Sequence, residues 1–177
     1  MLYFIAIVAP KHINEQVLIW KKYMEQNYGC KVALRSPAHI TLVPPFSMST
    51  EKEMALSEHL SLFCNAEKRF TIHLLNFDSF APKVIFAHVQ PGEHLLQIKH
   101  RLDEYLYPLK DFSFKKEQRP FHPHITIANR DLAKKDFKKA WEYFSELKFN
   151  AEFEADSISI LRHNNKEWEI AAGFPLP

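Results

Sequence analysis

The chain has 177 residues, 46% of them hydrophobic and 25% charged, and a formal net charge of +2. That balance predicts one compact domain, or two intimately fused halves, with a sizeable core, and it excludes disordered and fibrous classes. No apolar run approaches the roughly 20 residues of a membrane span, two cysteines are too few for a disulfide framework or a zinc site and suit a reducing cytoplasm, and near-neutral charge permits a local phosphate-binding patch without demanding a nucleic-acid partner.

In chain order, Leu2 to Ala9 is dense in apolar residues without helical spacing, lacks a basic leader and stops at Pro10, so it reads as a buried strand and not as a signal peptide. Ile13, Val17, Trp20 and Met24 then recur at helical spacing up to Tyr28-Gly29, an amphipathic helix with a glycine stop. The stretch Pro37-Ala38-His39-Ile40-Thr41-Leu42-Val43 is expected to be a strand that Pro44-Pro45 ends. A second helix is expected over Thr50 to Cys64, opened by a capping box of Thr50 with Glu53 and striped with Leu56, Leu60 and Phe63.

Arg69 to Phe77 and Lys83 to Gln90 read as two strands with a bend at Asp78 to Pro82. Pro91-Gly92 begins a helix carrying Leu95, Ile98, Leu102 and Leu106, and the basic segment Lys110 to Arg119 reads as a loop before the strand His124 to Ile127. Asp131 is placed to cap a fourth helix with Ala133, Phe137, Trp141 and Phe144 as its stripe. Phe149 to Arg162 and Glu167 to Ala171 complete the set as two strands joined by His163-Asn164-Asn165.

The pattern is strand-helix-strand-helix-strand twice, with pseudo-repeat halves of about residues 1–80 and 81–177 in a single domain, plus an extra strand at the end. The tetrad His39-Ile40-Thr41-Leu42 returns as His124-Ile125-Thr126-Ile127 at the equivalent place. Side chains alternate along a strand, so each copy turns an imidazole and a hydroxyl to one face and two apolar anchors to the other. Repetition in matched positions suggests duplication, with the equivalent strands facing each other across a central cleft.

Two imidazoles can divide phosphodiester cleavage between them without a metal, one neutral as base and one protonated as acid. Hydroxyls two residues along the same face are placed to donate to the non-bridging oxygens. The alternative for either histidine alone is a core-edge residue. Phe46 and Phe121 flank the tetrads and are candidates to stack a nucleobase or to pack the core, and Arg35 lies close enough before the first tetrad to reach a phosphate. Lys115, Lys116 and Arg119 suit steering of a phosphate-rich ligand or plain solvation. His122 with His124 forms a His-x-His pair that a metal-dependent hydrolase would use, although no third ligand is evident nearby.

The paired His-x-Thr-x motifs, with Pro44-Pro45-Phe46 after the first and Phe121-His122-Pro123 before the second, resemble the two-histidine phosphoesterase superfamily, the LigT-like or 2'-5' RNA ligase family. The end of the chain, Ser157 to Arg162 with Trp168 and Phe174-Pro175-Leu176, is similar to that of many members. The resemblance implies a duplicated, bilobal α+β fold of two antiparallel sheets around a central cleft with outer helices. It implies hydrolysis of the 2',3'-cyclic phosphate of RNA ends or small cyclic nucleotides, or reversible 2'-5' joining of RNA ends, with no metal or other cofactor. His39 and His124 become acid and base, Thr41 and Thr126 phosphate binders. Where many members carry an Arg five residues after the second histidine, this chain has Asn129, with Arg130 adjacent as the substitute candidate. A phosphate-binding module without turnover is the competing reading. Duplicated halves that satisfy their own symmetry point to a monomer.

Overall fold

The computed structural model describes residues 1–177. In chain order the elements are β1 (Leu2–Val8), α1 (Lys11–Tyr28), β2 (His39–Ser47), α2 (Glu53–Asn65), β3 (Phe70–Phe80), β4 (Val84–Val89), α3 (Glu93–Leu106), β5 (His124–Ala128), α4 (Lys134–Glu146), β6 (Asn150–Ala155), β7 (Ser157–His163) and β8 (Trp168–Pro175). The strands form two four-stranded antiparallel sheets, ordered β2-β1-β7-β8 and β5-β4-β3-β6. This is the α+β arrangement of two antiparallel sheets that the family resemblance implies, and the two tetrad strands, β2 and β5, each lie at a sheet edge.

The helices hold the two sheets together by packing across them. Tyr23 of α1 stacks on Tyr143 of α4 at 4.1 Å, and Trp20 of α1 meets Phe77 of β3 and Phe149 edge-on. On the other side Phe63 of α2 packs on Tyr105 of α3, and Arg101 of α3 forms a bidentate ion pair with the buried Glu67 just after α2. Helix α1 ends where Gly29 takes a left-handed φ of 70° and donates its N–H to the Glu25 carbonyl, a conformation that only glycine adopts without cost. No helix is long and apolar enough to cross a membrane.

Several sequence expectations change. Pro44-Pro45 does not end β2, which runs on to Ser47. β2 is an edge strand with a register shift beside the prolines, where Tyr3 pairs with Phe46 but Ile5 with Val43, and an edge tolerates a residue that cannot donate to the ladder. The Thr50–Glu53 capping box is not formed, since the start of α2 has no side-chain cap. The Glu53 carboxylate instead accepts from the Tyr3 hydroxyl at 2.5 Å and Arg162 at 2.9 Å. Charge-assisted partners outcompete a solvent-exposed cap. β3 runs to Phe80, which compresses the bend before β4 into residues 81–83. The expected strand Phe149 to Arg162 is two strands, β6 in one sheet and β7 in the other, divided at Asp156.

Asp131 also has a different role. It does not cap α4, which starts after Ala133. Its Oδ2 accepts the backbone N–H groups of Lys31 (2.6 Å) and Val32 (2.7 Å), at the start of the short 3-10 turn Val32–Arg35 that leads into β2. One carboxylate thus ties the segment after the second tetrad to the segment before the first. Asp131→Ala is expected to cost about 2 kcal/mol in urea unfolding, because it strands two donors and removes two charge-assisted bonds. Asp131→Asn, which keeps one acceptor, should lose roughly half as much. Equal stability of all three proteins would refute the tie.

Candidate active site

β2 and β5, the edge strands of their sheets, approach each other across the cleft. Strand alternation then works identically on both sides. Ile40, Leu42, Ile125 and Ile127 are all buried at 1% exposure or less, so His39, Thr41, His124 and Thr126, all half-buried, must occupy the opposite faces. Each imidazole rests on a phenylalanine from the neighbouring strand. His39 packs on Phe4 at 4.7 Å and His124 on Phe86 at 4.9 Å, with Phe80 edge-on to His124 at 5.3 Å.

The anchoring of the two rings is also duplicated. His39 Nδ1 donates to the carbonyl of Pro37 at 2.7 Å, and His124 Nδ1 to the carbonyl of His122 at 2.7 Å. A carbonyl only accepts, so in the neutral ring the proton sits on Nδ1 and the Nε2 lone pair is left open. Both rings therefore present the same basic nitrogen. Residues outside the tetrads fix the first of them. Ala38 donates its N–H to Asn14 Oδ1 at 2.5 Å, and the buried Lys21 donates to the carbonyl of Ser36 at 2.9 Å, so α1 holds the lead-in to β2.

Electrostatics pushes both imidazoles toward neutrality. Burial lowers His39 to about 4, with the charges of Lys21 and His124 acting in the same direction against the Pro37 bond. Burial lowers His124 as well, aided by His122. Lys21 itself is pushed down to about 8 by burial. A charge on His124 opposes a charge on His39, so the pair favours one proton over two.

The folded protein resists a proton at His39 that the unfolded chain accepts near the ordinary 6.5. The His39 contribution to stability is accordingly complete above about 6.5 and is lost as pH falls toward 4. Since the ring is partly exposed, a loss of about 2 kcal/mol is expected over that window, below the full linkage value. Urea unfolding at pH 7.5 and 4.5 should show His39→Gln losing less stability than the wild type. Identical losses would contradict the burial.

Beside the tetrads lies a cavity of about 810 Å3 whose lining includes Thr41, His124, His122, Phe80, Phe121 and Arg119. Lys99 lines it too, its ammonium 5.7 Å from the Phe121 ring and paired with Asp103. Phe121 is half-buried and faces this space. Phe46 does not; it is 2% exposed and packs on Tyr3 and Phe114, which makes it core and not a stacking surface. Arg35, at the end of the 3-10 turn, and Arg130, in the turn after β5 has ended at Ala128, are exposed and outside the cavity lining. Lys115 and Lys116 are likewise outside it, whereas Arg119 is inside.

For a metal, the His122 and His124 rings stand 6.5 Å apart and His124 Nδ1 is already engaged by a carbonyl. The ligand-type atoms that do converge are those of His122 with Asp78 and His88. Lys99, Lys21 and Asn14 are the site-shaping residues that sequence patterning passed over. The signal was there for the lysines. Lys21 falls between Val17 and Met24, and Lys99 between Leu95 and Leu102, each inside an apolar helical stripe where a lysine is out of place.

Two facing antiparallel sheets with one His-x-Thr tetrad on each inner edge strand are the arrangement of the two-histidine phosphoesterase superfamily. More particularly, the chain belongs to the 2'-5' RNA ligase superfamily, whose model matches residues 9–167. A Bacillus licheniformis protein bearing the name "Putative phosphoesterase" is 29% identical over 132 residues, 73% of this chain and 72% of its own. One of the same name from Bacillus cytotoxicus is 30% identical over 128 residues, 71% of this chain and 68% of its own. Among solved structures, Escherichia coli LigT complexed with 3'-AMP aligns with a TM-score of 0.70 at 22% identity, covering 98% of this chain and 97% of that one. The TT0787 protein of Thermus thermophilus aligns with a TM-score of 0.72 at 17% identity, covering 99% and 98%. These structural likenesses establish the fold.

Proposed function

We propose that the protein is a metal-independent cyclic phosphodiesterase that opens the 2',3'-cyclic phosphate of RNA ends or nucleotides. The observation that carries this reading is the duplicated geometry: two imidazoles on facing edge strands, each with Nδ1 bonded to the carbonyl two residues before it. In the proposed reaction one Nε2 takes a proton from water as its oxygen attacks phosphorus. The P–O bond to one ribose oxygen breaks, and the other imidazole, protonated, delivers a proton to that oxygen. Thr41 and Thr126 donate to the non-bridging oxygens, where charge accumulates. Reversible 2'-5' joining of RNA ends is the same chemistry with a 2'-hydroxyl in place of water.

The direction in which substrate lies assigns acid and base. The mutual opposition of charge between the imidazoles favours a single shared proton, as the reaction requires. Phe121 and Arg119 in the cavity offer a ring and a cation to a nucleotide, Lys99 being paired with Asp103 beside them. Support by analogy comes from E. coli LigT, whose structures include complexes with 3'-AMP, NADP+ and ATP.

The test is incubation of each of the four 2',3'-cyclic nucleotides with purified protein in excess chelator, with products separated by chromatography. Ring opening to a single phosphomonoester isomer is expected for at least one. Tight binding of all four with no product would favour a non-catalytic phosphate-binding module on the same cleft, and activity that the chelator abolishes would favour a metal-dependent hydrolase.

A further inference from the structure

A second group of chemistry-bearing side chains stands on the same face of the second sheet, outside the tetrads. Asp78 on β3 pairs in register with Phe86, two residues from His88 on β4, and His88 pairs with His124 on β5. Paired and alternate residues share a face, so Asp78 and His88 project to the side that carries His124. His122, just before β5, completes the group, with its ring 6.0 Å from that of His88. One ligand atom from each of Asp78, His88 and His122 lies within 4.8 Å of the others.

Two further observations point to a ligand. His88 Nδ1 is buried and has no hydrogen-bond partner, which is costly for an imidazole nitrogen. Asp78 commits only one oxygen, Oδ1, to the Ser79 N–H at 2.7 Å. Two imidazoles and one carboxylate are the donor set of divalent zinc and its first-row neighbours. Donors about 2.1 Å from such an ion stand about 3.4 Å apart in a tetrahedron. Asp78 and His122 are exposed and free to close that gap.

We propose that Asp78, His88 and His122 bind one divalent zinc ion, with its open coordination position turned toward the cleft beside His124. The ion is not a part of the hydrolytic mechanism.

The test is calorimetric titration of chelator-dialysed protein with zinc, repeated with cobalt to read the d–d absorption of a low-coordinate nitrogen and oxygen site. One equivalent is expected to bind with a dissociation constant on the order of 1 µM. Asp78→Ala and His88→Ala should each weaken it about 100-fold, while His124→Ala retains it. Asp78 is exposed, so its variant serves even where the His88 change disturbs packing. Absence of saturable binding, binding indifferent to both substitutions, or binding lost in His124→Ala would overturn the site.

Discussion

His39→Ala and His124→Ala are each expected to reduce kcat for a 2',3'-cyclic nucleotide by about 10³-fold or more, since each removes one of the two proton transfers that ring opening needs. The double variant should be scarcely worse than either single one, because groups that act as a unit lose their function together. Neither change need unfold the protein. Both rings are half-buried and lie opposite the apolar anchors Ile40, Leu42, Ile125 and Ile127. Steady-state kinetics with circular dichroism on each variant decides the matter. A folded variant that keeps a tenth of the activity would remove that histidine from the reaction.

The second large effect is expected at the threonines. Thr41→Val and Thr126→Val preserve the β-branched shape that suits a strand and delete only the hydroxyl. Each should lower kcat by about 10²-fold, the loss typical of one donor to a developing oxyanion, with a smaller change in KM. A loss confined to KM would mean that the hydroxyl holds the ground-state phosphate and gives the transition state nothing extra. Serine at either position keeps the donor and should recover most of the rate. Serine variants as inactive as the valine ones would show that shape, and not the hydroxyl, matters there.

The part of this site that repeats was readable in the chain itself. His-x-Thr recurs with apolar partners at the alternate positions, and the period of two fixes which face each residue takes. Long apolar stripes likewise marked all four helices, because Val17 with Met24, Leu56 with Leu60, Leu95 with Leu102 and Phe137 with Phe144 leave little choice of buried face. What was not readable depends on neighbours distant in sequence. Whether Pro44-Pro45 stops a strand depends on its place at an edge. The division of Phe149 to Arg162 at Asp156 depends on two sheets competing for one extended segment.

Carboxylates misled for a related reason. Glu53 and Asp131 stand at positions where local capping is the expected use. Arg162, 109 residues from Glu53, and the Lys31 and Val32 amides, about 100 residues from Asp131, offer stronger partners. Phe46 illustrates the same limit among aromatic residues. Its position beside the motif left base stacking and core packing both open, and its burial with the Phe114 ring 4.8 Å away decides for the core. The cluster of Asp78, His88 and His122 was invisible because two strands and the segment before a third, and not one motif, bring it together.

The most direct test of a two-histidine reaction is the pH dependence of kcat/KM in excess chelator. Because both imidazoles are held below their ordinary range in the free protein, His39 at about 4, the singly protonated pair is most populated on the acid side of neutrality. A bell-shaped profile with its maximum between about 4 and 6.5 is therefore expected, its two limbs belonging to the pair and each limb vanishing with loss of one histidine. A profile that rises steadily through pH 8, as for a single base or a metal-bound hydroxide, would contradict it.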